Sequence, residues 1–265
     1  MRGLGLIGCA AMLMVSTSVS GQASKPASAP PAATETVEPQ TVDPEAVAAL
    51  RRMSSYLSTL NAFELTANSS LDVVTVHDQR LQMDAVINYK VKKPGIRIDY
   101  ESDLKSRQYF YDGKNFTIYS PKLNFYASAP APATNQEFLK AVYDKFGISL
   151  PLEDLFRWND GDDSDIQALT SAFSVGTATI DGVATDHWAF RQGDFDWEVW
   201  IEQGARPLPR KLVIIDRTEP AMPAYIARLN WALDPSLAAS DFTFMPGKDA
   251  QRIQLATFTK DGDTK

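Results

Sequence analysis

His77 and His187 are the only histidines in the 265-residue chain, so acid–base chemistry near neutral pH has few places to sit. Asp186 precedes His187, but consecutive side chains of a strand point to opposite faces, which separates the two groups. A Ser-His-Asp arrangement would need an activated nucleophile, and no G-x-S-x-G elbow occurs. The two histidines also lack H-E-x-x-H spacing, so no zinc pattern emerges. Asp160, Asp162, Asp163 and Asp165 crowd the run DGDDSD, where calcium would find oxygen ligands. That run lacks the glycine and closing glutamate of the EF-hand loop, and a solvated acidic loop is the simpler reading. No catalytic residue, metal or cofactor follows from these groups. The chemistry points away from an enzyme, and a hydrolase using His187 is the least supported of three alternatives.

Composition narrows the partners. A formal net charge of -7 opposes nucleic acid and anionic lipid headgroups, both of which need clustered Lys and Arg. With 44% hydrophobic residues the chain can build one large core without covalent staples. Arg2, the apolar run Leu4 to Val15, and small residues at Gly21 and Ala23 read as an export signal over residues 1–23. The run is too short for a spanning helix. The one cysteine, Cys9, precedes most of that run instead of closing it, which argues against lipid attachment there. Residues 24–42, rich in Ala, Pro, Ser and Thr, read as a disordered linker. Residues 43–265 then form one domain, and the periplasm is the expected compartment.

The elements of that domain follow from periodicity. Asp43, Pro44 and Glu45 supply an N-cap, a first-turn proline and a first-turn acid, and Ala46, Leu50, Met53, Leu57 and Leu60 recur at helical spacing behind them. After Asn61 the period becomes two: Phe63, Leu65 and Ala67, then Leu81, Met83, Ala85, Ile87, Tyr89 and Val91, then Ile96, Ile98 and Tyr100. Asp112-Gly113 between aromatic runs predicts a hairpin, and Ser120-Pro121 a second turn. Thr134 with Glu137 forms a capping box for a helix carrying Phe138, Val142, Tyr143 and Phe146, ended by Gly147. Leu152 to Trp158 predicts a short helix, and Ile166, Leu169 and Phe173 a third. Further strands span Phe173 to Ile180, Val183 to Arg191, Phe195 to Ile201, Leu212 to Ile214 and Ile226 to Leu233. The total is ten or eleven strands, near the number at which an open sheet must curl.

In order, DPEAVAALRRMSSYLSTL, KKPGIRIDY, YDGKNFTIYSP and WEVWIEQGARPLPRKLVIID resemble a bacterial family of predicted periplasmic proteins of unknown function. That family is similar in turn to the LolA/LolB superfamily of lipoprotein carriers, and to sensor and mycobacterial lipid-binding proteins of the same fold. The resemblance implies an α+β fold: a half-open antiparallel barrel wrapped around a long N-terminal helix, with inserted helices as a lid over an apolar cavity. In LolA-type carriers an Arg-Pro step helps hold the lid closed. Lys93-Pro94 stands at that position here, which makes Lys93 the lid-switch candidate without arginine's planar donor fork.

Two functional readings remain beside the hydrolase. The first is a carrier of a lipid, lipoprotein or other hydrophobic ligand, its cavity lined by Leu81, Met83, Ile87, Ile98, Phe110, Ile118, Phe138, Val142 and Phe146. The second is an envelope interaction or sensor module that presents the same fold to another protein and carries nothing.

Overall fold

A computed structural model describes residues 41–148, 150, 152 and 164–256. The expected export signal, most of the linker, the expected helix from Leu152 to Trp158 apart from Leu152 itself, and Asp160, Asp162 and Asp163 lie outside the described residues.

Asp43 Oδ1 accepts from the Glu45 amide at 2.8 Å and Pro44 opens the helix α1 (Pro44–Thr59), as the sequence predicts. Its buried stripe is Ala46, Ala49, Leu50, Met53, Ser54 and Leu57. The chain continues through β1 (Ala62–Val74), β2 (Arg80–Lys92), β3 (Gly95–Ser102), β4 (Ser106–Tyr111), β5 (Asn115–Ser120) and β6 (Phe125–Pro130). Two helices follow, α2 (Asn135–Phe146) and the single turn α3 (Ser164–Gln167). Then come β7 (Leu169–Ile180), β8 (Val183–Gln192), β9 (Phe195–Glu202), β10 (Pro209–Asp216), β11 (Ala224–Leu233) and the two-residue β12 (Gln251–Arg252).

All twelve strands join one sheet in the order β12-β6-β5-β4-β3-β2-β1-β11-β10-β9-β8-β7. Every pairing is antiparallel except β12 with β6. The sheet does not close: among the described residues β7 and β12 are its ends, so the architecture is a large, mostly antiparallel sheet with few helices and no closed barrel. The expected third helix over Ile166, Leu169 and Phe173 is cut to the single turn α3, which holds Ile166. Leu169 and Phe173 belong to β7, whose Ala172 N–H donates to Thr41 and whose Ala172 carbonyl accepts from Asp43. That long-range pairing overrides the local helical spacing.

Period two assigns the two faces. Phe63, Leu65 and Ala67 pair with Val91, Tyr89 and Ile87, and these pair with Ile96, Ile98 and Tyr100, so one row of apolar side chains runs across three strands. They join α1, Phe138, Val142, Phe190 and Trp197 in one core on the helix-bearing face. The other face is polar, with ion pairs such as Arg191–Asp196 and Arg228–Asp181 around a small island of Ile180, Trp200 and Val213.

The segment after β11 straps that second face. Phe244 packs on Phe110, Tyr119 and Tyr126, with ring centroids 5.0 to 5.4 Å away, and Phe242 lies over Gly95. A Cβ at Gly95 would stand 2.6 Å from Phe242 Cγ, so glycine is required by contact. Gly95→Ala is expected to lower unfolding stability by about 1–3 kcal/mol in denaturant titration, because the strap must shift to admit the methyl group.

Candidate functional site

The helix-bearing face is not filled everywhere. A cleft of about 500 Å³ opens where the C-terminal end of α1, the strands β1 to β3 and the N-terminal turn of α2 meet. Leu57, Phe63, Tyr89, Val91, Ile96, Ile98, Leu139 and Leu150 make its walls. Ser54, Ser58, Lys93, Pro94 and residues 133–136 also line it, and of these Ser58, Lys93, Pro94, Ala133, Thr134 and Gln136 are exposed, which marks the mouth. The volume falls in the range of small-ligand sites, and apolar walls with a few convergent polar groups are their usual make-up.

Local sequence explains each wall. The β2–β3 turn at Lys93-Pro94 brings Val91 and Ile96 into direct opposition, with Tyr89 and Ile98 opposed one step further along both strands. The helix α1 ends at Thr59, which leaves the Ser58 carbonyl without an intrahelical donor, and Lys93 Nζ donates to it at 2.7 Å. On the other side, Thr134 Oγ1 accepts from the Glu137 amide, the expected N-cap bond, while the Glu137 carboxylate accepts from the Thr134 hydroxyl and not from the Thr134 backbone N–H that a full capping box would use. Gly147 ends α2 in the left-handed conformation, φ 63°, as its position predicts.

The helix α2 is held by one aromatic stack. Phe138 lies flat on Tyr111, with centroids 4.0 Å apart and planes 1° apart, and tilts against Phe116 at 5.1 Å. The Tyr111 hydroxyl donates to the Pro132 carbonyl at 2.6 Å, which ties the loop before α2 to the same point. Burial, with Asp112 and Glu137 nearby, pushes the Tyr111 phenol up to about 12. Burial alone holds the Lys93 ammonium below the ordinary lysine value.

Against the expected lining, the structure brings Ile98 and Lys93 to this cleft. Ile87, Phe138 and Val142 are core residues, and Ile118 is half-buried against the same core. Leu81 and Met83 lie toward the far end of β2, and Leu81 is exposed. Ten residues of strand separate Leu81 from Val91, roughly 33 Å, too far for one small cleft. Phe146 ends α2 with the Lys145 ammonium over its ring at 5.4 Å. Phe110 is on the opposite face, paired with Arg97 and Thr117 and covered by Phe244. The expectation that it faces the cavity is corrected: a one-residue shift in phase exchanges the faces of a strand, and Tyr111 takes the inward position. Sequence reasoning missed Leu57, Phe63, Tyr89, Val91, Ile96, Leu139 and Leu150. For Tyr89, Val91 and Ile96 the signal was proximity to Lys93-Pro94 along the two flanking strands, whereas Leu57, Phe63, Leu139 and Leu150 come from other segments and carried no such signal.

The residues considered for catalysis lie elsewhere. His77 is exposed in the β1–β2 turn. On the polar face, His187 Nε2 is 2.6 Å from Glu198 Oε2 and the ring stacks on Trp200 at 3.9 Å. Asp186 accepts from Gln203 Nε2 at 2.6 Å instead. Among the described residues no three His, Cys, Asp or Glu side chains converge to hold a metal, and no helix is long and apolar enough to cross a membrane.

A family model described as predicted periplasmic protein (DUF2092) matches residues 46–256. No curated protein matches the chain. Among solved structures, the chain is similar to the lipoprotein LppX of Mycobacterium tuberculosis, with TM-score 0.46 and 12% identity, covering 74% of this chain and 98% of that one. It is similar to an uncharacterized conserved protein of Thermus thermophilus, with TM-score 0.44 and 13% identity, covering 79% and 99%. It is also similar to a chain of the Pseudomonas aeruginosa MucA/MucB complex, with TM-score 0.40 and 14% identity, covering 76% of this chain and 63% of that one. The family is of the kind that the sequence resemblance named.

The Tyr111 contact is testable by pH. Its folded pKa exceeds the ordinary value of 10.0, so its contribution to stability is complete below pH 10 and is lost as pH rises toward 12. Tyr111→Phe is expected to lower stability by about 1 kcal/mol at neutral pH through loss of the bond to Pro132, and to flatten the decline between pH 10 and 12. Denaturant titrations across that range check both parts.

Proposed function

The chain belongs to the family of predicted periplasmic proteins (DUF2092), and from that premise we propose that it binds a hydrophobic ligand and shelters it from water in the periplasm. One observation carries the reading: about 500 Å³ of space, walled by Leu57, Phe63, Val91, Ile96, Ile98 and Leu139, is left open inside an otherwise packed face. A dry core of the same residues would gain dispersion contacts by closing this space. Leaving it open is costly to the empty protein and favourable once an apolar molecule fills it. At about 30 Å³ per water-sized group, the space holds on the order of a dozen or more methylenes, which is one acyl chain. The role in this reading is passive, and the driving force is removal of methylenes from water.

A second reading, an envelope module that binds another protein, is favoured by a different observation. The end strand β7 carries Phe173 and Val175, each 50% exposed, beyond the point where Thr41 and Asp43 pair with Ala172. A strand edge with exposed apolar side chains suits strand addition by a partner.

The first reading is tested with a series of uncharged methyl esters of rising chain length, measured by displacement of a fluorescent apolar probe. Affinity is expected to rise about fourfold per added methylene and then level off when the cleft is full. Leu139→Trp, which fills the cleft from α2, is expected to weaken the longest ester at least tenfold while leaving the circular dichroism spectrum unchanged. Absence of ester binding, or an affinity independent of chain length, removes this reading and leaves the second.

A further inference from the structure

The cleft has an exposed mouth and a buried interior. Its apolar walls come from α1, β1, β2, β3 and α2, and Lys93 and the first turn of α2 line the same mouth. Lys93 Nζ spends one of its three protons on the Ser58 carbonyl, and among the described residues no carboxylate lies within ion-pair distance of it. Two donors of a cation are therefore left at the mouth of a greasy space, in a chain whose net charge is -7. The surroundings strip part of the water from this ammonium and supply no opposite charge, an unfavourable setting that a bound anion would relieve.

The facing wall is compatible with the same charge. Asn135 and Gln136 occupy the first two positions of the twelve-residue helix α2, where backbone N–H groups have no intrahelical acceptor and the helix end favours anions. Asn135 Oδ1 is buried in the same wall without a donor, and a half-turn of that carboxamide would present its NH₂ group instead. The carboxylate on this turn, Glu137, is engaged by the Thr134 hydroxyl and is not among the lining residues.

We propose that the cleft takes a single-chain amphiphile with a negatively charged head, a fatty carboxylate being the simplest, with the head against Lys93 and the chain running inward along Val91, Ile96 and Ile98. This rests on the reading of the cleft as a hydrophobic-ligand site and adds the head group to it. Lys93 thus serves as a ligand anchor, a role separate from switching a lid: its bond is to α1, and no bond to α2 is present among the described residues. The anchor is exposed, so it discriminates between heads by a modest factor while the chain supplies most of the affinity.

The experiment compares dodecanoate, methyl dodecanoate and dodecyltrimethylammonium, all below their micelle concentrations, binding to the full chain by titration calorimetry at low ionic strength. Dodecanoate is expected to bind about fivefold tighter than the ester and the cationic amphiphile weakest, with the first difference shrinking as salt is added. Lys93→Gln should abolish the preference for acid over ester, and Lys93→Arg should retain it. Equal affinity of acid and ester in the unmodified protein overturns the anchor and leaves the hydrophobic site standing. A Lys93→Gln protein that loses acid and ester equally also overturns it, since Lys93 would then be shaping the cleft and not reading charge. Failure of all three probes to bind overturns the anchor together with the reading it rests on.

Discussion

One face of a twelve-strand sheet has to be kept from water, and this requirement organises the molecule. Eleven strand spacings at about 4.8 Å make a surface roughly 50 Å across, measured along the sheet. The sixteen residues of α1 are about 24 Å long and present one stripe. A single helix cannot cover such a face. Twist and the bulges in β7 and β10 bring distant strands toward the helix, and α2 adds a second cover through Phe138 and Val142. The cleft lies at the seam between these two covers, where α1 has ended and α2 has only begun.

The opposite face is satisfied by other means, and the hollow of about 760 Å³ that it holds between Asn68, Asp84, Glu101 and Arg228 is lined mostly by polar residues. Over β2 to β6 the strap after β11 lays Phe242 and Phe244 on Gly95 and Phe110. Over β8 to β10 the covering is charge: Arg191 and Arg217 share Asp196, Arg210 and Arg206 share Glu202, and Lys211 sits 4.1 Å above the Trp200 ring. The hydrogen bond from Arg191 is the main reason the Asp196 carboxyl is held below the usual aspartate range. Half-exposed pairs of this kind add little stability each. Their effect is to keep one broad sheet face wet.

Local chemistry was legible where it was local. Asp43 and Pro44 marked the start of α1, Thr134 and Glu137 the start of α2, and Gly147 its end, because caps depend on residues three or four apart. Alternation also gave the correct inward rows for Phe63 to Ala67 and for Ile87 to Val91. Two kinds of fact were not legible. The phase of β4 depends on pairing with β3 and β5, and both Phe110 and Tyr111 are aromatic, so composition could not choose which one faces in. The start of β7 depends on Thr41 and Asp43, some 130 residues earlier in the chain, whereas Ile166, Leu169 and Phe173 fit a helix by spacing alone. The cleft itself was hidden for a related reason: alternation names the face a residue points to but not how far along the strand the covering helices stop.

The same geometry bears on how a ligand would enter. Lifting α2 as a whole would expose Phe138 and Val142, at about 1.5–3 kcal/mol each, and break the Tyr111 bond to Pro132, at about 1 kcal/mol. Their sum, on the order of 5 kcal/mol, leaves the lifted state populated at roughly one part in several thousand. The mouth beside Lys93, Pro94 and Gln136 is already exposed and needs no such opening. Entry head-last past that rim therefore competes favourably with any motion of the cover. The N-terminal turn of α2 then acts as a fixed wall of the cleft, and the stack of Phe138 on Tyr111 is what keeps it fixed.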